Sequence, residues 1–163
     1  GPRRLELRVS GGRAEGATVD MGRVELSDPV TAEAAGERFR VIPVSAGNPH
    51  GVIFCPEPER IDLEKLGPLL EYHPGLGERR NIEFVSCPDR EHLNIRVWER
   101  GSGVTLACGT GACAAFGAAR REDRCGPRAE ARLPGGTLLL EEREGRVFMT
   151  GPARRVFEGE ISL

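Results

Sequence analysis

No stretch of the 163 residues approaches the roughly 20 consecutive apolar residues that a bilayer-spanning helix requires, so none is expected. No basic segment followed by an apolar run opens the sequence, and a secretory leader is not expected either. An excess of one charge sign is also lacking. A net charge of -2 predicts neither a nucleic-acid footprint nor a membrane-surface patch. Metal-ligand spacing is absent: Cys55, Cys87, Cys108, Cys113 and Cys125 contain no Cys-x2-Cys pair, and the histidines are only His50, His73 and His92. An odd cysteine count without a leader argues for reduced thiols and a cytoplasmic location. Lysine occurs once, at Lys65; the other basic residues are arginine, a source bias without functional content. The opening Gly1-Pro2 fits either a protease-cleavage remnant or a native start.

What is present is ordinary globular composition, 39% apolar and 29% charged, in a chain long enough for one domain with a real core. Most of it reads as short strands. Leu5, Leu7 and Val9 alternate with Glu6 and Arg8, which predicts a half-buried strand, and residues 17–21 can return from the Gly11-Gly12 turn. Further runs fall at 38–44, 52–55, 82–87 and 93–99. In the last, Leu93, Ile95 and Val97 share one face. A meander follows over 129–133, 137–141 and 146–150, and residues 153–163 offer one more strand. Asp62 can cap a helix carrying Leu63, Leu66, Leu69 and Leu70, with a kink or two short turns expected at Pro68. A clearer helix begins after Gly111, rich in alanine and ending on Arg120-Arg121.

The segment Leu106-Ala107-Cys108-Gly109-Thr110-Gly111-Ala112 puts a cysteine at the mouth of that helix. Glycines let a ligand approach the backbone, and unpaired N–H groups with the helix dipole favour negative charge. Both effects predict a lowered thiol pKa and a carboxylate site beside it. The competing reading, a small buried cysteine before an alanine-rich helix, stays open on these residues alone. A nucleotide-phosphate loop is weaker, because no Gly-Lys-Ser/Thr follows. Cys113 reads as core, and Cys55, Cys87 and Cys125 as structural.

Three other polar clusters lie at strand ends. Asn48 and His50 sit in Gly47-Asn48-Pro49-His50, Asn81 opens the strand Ile82-Glu83-Phe84-Val85, and Glu99-Arg100 closes the strand of Trp98. Each alone is commonly a turn residue or a surface ion pair. Together they supply the amide, carboxylate and guanidinium groups that hold an amino acid's ammonium and carboxylate.

Arg96-Val97-Trp98-Glu99-Arg100-Gly101 followed by Thr105 to Ala114 resembles the second catalytic segment of diaminopimelate epimerases. Gly47-Asn48-Pro49-His50, Asn81 to Val85, and Met149-Thr150-Gly151-Pro152-Ala153 with Val156-Phe157-Glu158-Gly159 resemble further blocks of that family, in family order, and Val19-Asp20-Met21-Gly22 fits as well. The resemblance covers nearly the whole chain. It implies an α+β domain of mostly antiparallel strands wrapped around a central helix. It also implies a cofactor-independent isomerase that interconverts LL- and meso-diaminopimelate in lysine and peptidoglycan synthesis, using two opposed cysteines. On that basis Cys108 is one of the pair, and Gly109 and Thr110 offer N–H groups to the α-carboxylate. Asn48, Asn81, Glu99 and Arg100 bind substrate, and His50 supports the site.

The family's first cysteine segment, Cys-Gly-Asn-Gly, has no match here. The expected organisation is therefore a joining strand (1–17), a C-terminal epimerase-like domain (18–152), and a terminal strand (153–163) returning to an N-terminal domain outside this chain. The isolated chain is expected to be inactive, and the complete enzyme a homodimer. Smaller departures are Val104 in place of Glu, Gly51 where Cys is common, and Glu78-Arg79-Arg80 in place of a Gly-Thr run. Rival readings are a proline racemase-like domain, a phenazine-biosynthesis-like domain, and a non-catalytic partner domain.

Overall fold

The computed structural model describes residues 4–161; Gly1-Pro2 and the last two residues of the expected terminal strand lie outside them. Twelve strands and two helices alternate in the order β1 (Leu5–Ser10), β2 (Arg13–Gly22), β3 (Glu25–Leu26), β4 (Val30–Ala34), β5 (Glu37–Ser45), β6 (Pro49–Phe54), α1 (Leu63–Glu71), β7 (Asn81–Ser86), β8 (His92–Glu99), β9 (Gly103–Thr105), α2 (Gly109–Arg121), β10 (Arg128–Leu133), β11 (Gly136–Arg143) and β12 (Arg146–Pro152). The strands join in the order β1-β2-β12-β11-β10-β8-β7-β6-β5-β3, with β4 on β5 and β9 on β8. Among the described residues only β6–β7 and β8–β10 pair in parallel, so the α+β expectation of mostly antiparallel strands holds.

The sheet curls around α2, which touches β5, β6, β7, β8, β10, β11 and β12. Alanine makes this possible. Ala112, Ala114, Ala115, Ala118 and Ala119 are all fully buried, and their short side chains let the strands approach from several sides. Phe116, fully buried, belongs to the same core as Ile42, Val52, Val85, Leu93 and Ile95. On the other face of β5–β8, α1 packs Leu63, Leu66 and Leu70 over Val41, Ile53, Ile82 and Phe84. These strands are covered on both faces, which is why β7 is buried almost end to end instead of alternating. Odd and even residues still divide: Ile82 and Phe84 face α1, while Val85 faces α2.

Three expectations are corrected. First, α1 is one uninterrupted helix despite Pro68. Proline removes a single N–H, and packing of Leu63, Leu66 and Leu70 outweighs that loss. Asp62 caps it as expected, accepting from the Lys65 N–H at 3.1 Å, but Leu69 points away from the core. Second, β1 is paired with β2 yet exposed along its whole length, so its apolar face has no cover in this chain. Third, no strand follows Pro152 among the described residues. Ala153 N–H donates to the Glu15 carbonyl (3.1 Å) and Arg155 pairs with Glu158, but residues 154–161 are exposed and join no strand.

Gly51 has a packing reason for its departure from the family pattern. A Cβ there would lie 2.9 Å from Val41 Cγ1 and 3.1 Å from Ile82 Cδ1. Asp20, in the Val19 to Gly22 block, accepts from the Arg146 guanidinium and ties β2 to β12.

Candidate active site

The polar residues singled out from the sequence converge at one end of β6, β7 and β8. In the parallel ladder His50 stands beside Asn81. The Asn81 side-chain carbonyl accepts from the Arg100 N–H at 2.8 Å, which ties the start of β7 to the turn after β8. The Asn81 NH2 and the second lone pair of its carbonyl stay open to a ligand. The Arg100 guanidinium donates to the Arg79 carbonyl at 3.1 Å. Glu99 accepts from the Thr105 hydroxyl at 2.5 Å across the β8–β9 hairpin. Asn48 reaches back so that its Oδ1 lies 3.1 Å from His50 Nε2.

Cys108 is the N-cap of α2. Its φ of -141° and ψ of 109° place it just outside the helix, and its sulfur accepts from the Gly111 N–H at 3.4 Å. Thr110 Oγ1 lies 3.6 Å away. The helix begins at Gly109, so both glycines belong to its first turn. Gly109 is held from behind by Met149 of β12, whose Cε a Cβ at 109 would meet at 3.2 Å.

The expected lowering of the thiol pKa is overturned. Burial raises it above its ordinary value, the Thr110 and Gly111 hydrogen bonds oppose that, and the nearby carboxylates Glu83 and Glu99 add to the rise. The helix terminus acts as anticipated but loses to desolvation. In this chain Cys108 is a protonated thiol at neutral pH. Burial also raises the Cys55 thiol, and pushes Cys87 and Cys125 up to about 11.

Glu83 went unnoticed in the sequence. It is fully buried, and its Oε1 lies 2.7 Å from His50 Nδ1. Its signal was visible: one carboxylate inside Ile82-Glu83-Phe84-Val85, a stretch too apolar for an outward-facing strand. Arg80, buried nearby, donates to the His50 carbonyl at 3.1 Å and to the Leu76 carbonyl. Two of the three residues that depart from the family pattern at 78–80 are thus structural, Arg79 pairing with Glu71.

Solved structures define the fold first. A probable proline racemase from Agrobacterium radiobacter K84 superposes with a TM-score of 0.76 at 12% identity, covering 99% of this chain and 57% of that one. A putative phenazine biosynthesis PhzC/PhzF protein from Clostridium difficile gives 0.60 at 14% identity, covering 98% and 61%. These likenesses establish a shared fold. Sequence comparison goes further. The diaminopimelate epimerase family model matches residues 42–156. Diaminopimelate epimerases of Phocaeicola vulgatus and Acetivibrio thermocellus are 43% and 44% identical over 98% of this chain. The chain belongs to the diaminopimelate epimerase family. It spans 62% of the length of each of those two relatives.

Proposed function

We propose that this chain is the C-terminal part of a diaminopimelate epimerase and supplies one of two opposed thiols. The observation that carries the reading is Cys108 at the N-cap of α2, beside Glu99 and the first-turn N–H groups of Gly109 and Thr110. A thiolate on the opposite face of the substrate removes the α-proton. The electron pair left on the α-carbon delocalises into the α-carboxylate, which the helix N–H groups stabilise. Cys108 then gives its S–H proton to the other face and becomes the thiolate. One proton leaves, one arrives, and the configuration inverts; the reverse direction exchanges the roles. No bound cofactor enters the cycle.

A thiol held up by burial suits the donor role, since it arrives protonated. Asn48, Asn81, Glu99 and Arg100 provide donors and an acceptor for the second ammonium and carboxylate of diaminopimelate, which a smaller imino acid lacks. His50 holds Asn48 in place. The opposing thiol belongs to the part of the relatives' length that this chain does not span, together with the domain that would cover β1. The complete enzyme would act as a dimer in lysine and peptidoglycan synthesis.

The test is Cys108→Ala in the intact protein. General acid–base groups contribute about 10²–10⁴-fold, so conversion of LL- to meso-diaminopimelate should fall by at least that factor. Turnover within a few-fold of the parent would remove Cys108 from the reaction.

A further inference from the structure

Glu83, His50 and Asn48 form a chain of contacts that leads from the buried interior to the candidate site. Glu83 Oε1 lies 2.7 Å from His50 Nδ1, and His50 Nε2 lies 3.1 Å from Asn48 Oδ1. Both Glu83 and His50 are 0% exposed, while Asn48 is partly exposed. The second carboxyl oxygen of Glu83 has no hydrogen-bond partner among the described residues. The carboxyl also packs on the first turn of α2: a Cβ at Gly111 would sit 2.7 Å from Oε1.

Counting protons narrows the possibilities. Both imidazole nitrogens face oxygen atoms, and an amide oxygen only accepts, so Nε2 must carry hydrogen. The contact at Nδ1 then needs one more proton, held on the carboxyl or on the ring. Either way the Glu83–His50 pair is neutral overall. The alternative turns the Asn48 amide around, strips Nε2 of its proton, and leaves Glu83 either as a bare buried carboxylate or with its proton on Oε2, where no acceptor lies among the described residues. Burial of Glu83, which pushes its pKa up, disfavours the first, and a buried hydroxyl without an acceptor disfavours the second. The charged groups around the pair do not rescue the carboxylate. Arg80 donates to the His50 and Leu76 carbonyls, and its charge does favour an ionised Glu83, but this is the weakest influence on that carboxyl, smaller than the like charge of Glu99 and than burial. Cys108, protonated, contributes none.

We propose that Glu83 is a positioning residue: through His50 it holds the Asn48 amide with its carbonyl inward, so that the Asn48 NH2 is the end offered to an anionic group of the ligand. This rests on reading the site as an amino-acid site. It adds a polarity to that site, because Asn48 then recognises a carboxylate and turns away an ammonium.

The test is nitrogen-15 NMR of histidine ring and asparagine side-chain resonances in this 163-residue chain. In the parent, His50 Nε2 should be protonated, with Nδ1 displaced from the bare-imine position by the proton it shares with Glu83. In Glu83→Leu, Nδ1 should move to the bare-imine position and the Asn48 NH2 pair should shift. Glu83→Gln, which keeps a donor toward Nδ1 without charge, should restore the parent Asn48 resonances. An unprotonated Nε2 in the parent would overturn the proposal, with no variant needed. So would Asn48 resonances in Glu83→Leu that match the parent. Neither result bears on Cys108, and loss of the epimerase reading would not alter these resonances.

Discussion

At Cys108 the helix terminus and the surrounding burial act on one sulfur in opposite directions. The first was legible in the sequence, because N-cap position and small residues are local. The second was not, because Glu83 and Met149 come from strands distant in sequence. The sign has a measurable consequence. A thiol pKa above its ordinary value means that thiolate is scarce at neutral pH and accumulates only in the alkaline range. Alkylation of Cys108 by a small reagent, followed by peptide mapping, should therefore accelerate with a midpoint above pH 9.0. A midpoint near neutrality would show that the helix terminus prevails. Gly111 is equally constrained. An alanine there must displace the Glu83 carboxyl, so Gly111→Ala should destabilise the fold by about 1–3 kcal/mol in urea unfolding, the usual range for overpacking. An unchanged midpoint would mean that the carboxyl can move freely.

Among the elements, local chemistry predicted most of what formed. The Asp62 cap is the simplest case, and Asp62→Ala should lower stability by about 1 kcal/mol, read as a shifted denaturation midpoint. α2 is the opposite case, since its own propensity matters less than the sheet around it. Phe116→Ala should cost about 3–5 kcal/mol, because a fully buried ring would leave a cavity in the larger core. Pro68 illustrates the limit of reading an element alone: the sequence shows the broken hydrogen bond but not the packing that outweighs it. In β7 two-sided burial erases the alternation that ordinarily marks an inward residue, so Glu83 was legible only as a lone carboxylate in an apolar run.

For the whole molecule, alternation in β1 revealed an apolar face but not what covers it. Leu5, Leu7 and Val9 are 55%, 62% and 59% exposed, and Val156, Phe157 and Leu106 are also bare. Exposed apolar strands at a sheet edge favour association. Sedimentation velocity should show self-association of the isolated chain that grows with concentration and weakens in Leu7→Lys. A monomer at all concentrations would contradict this. The polar end of β6, β7 and β8 needed no such cover to assemble, which is why Asn48, His50, Asn81, Glu99 and Arg100 could be picked out as strand-end residues before their contacts were known.

The account as a whole makes Cys108 one half of a proton transfer whose other half lies outside this chain. The most direct measurement is hydrogen–deuterium exchange at the α-carbon of diaminopimelate in deuterated water, comparing the isolated chain with the intact protein. The account predicts sustained exchange and inversion by the intact protein and none by the chain. Sustained exchange with inversion by the purified chain alone would contradict it.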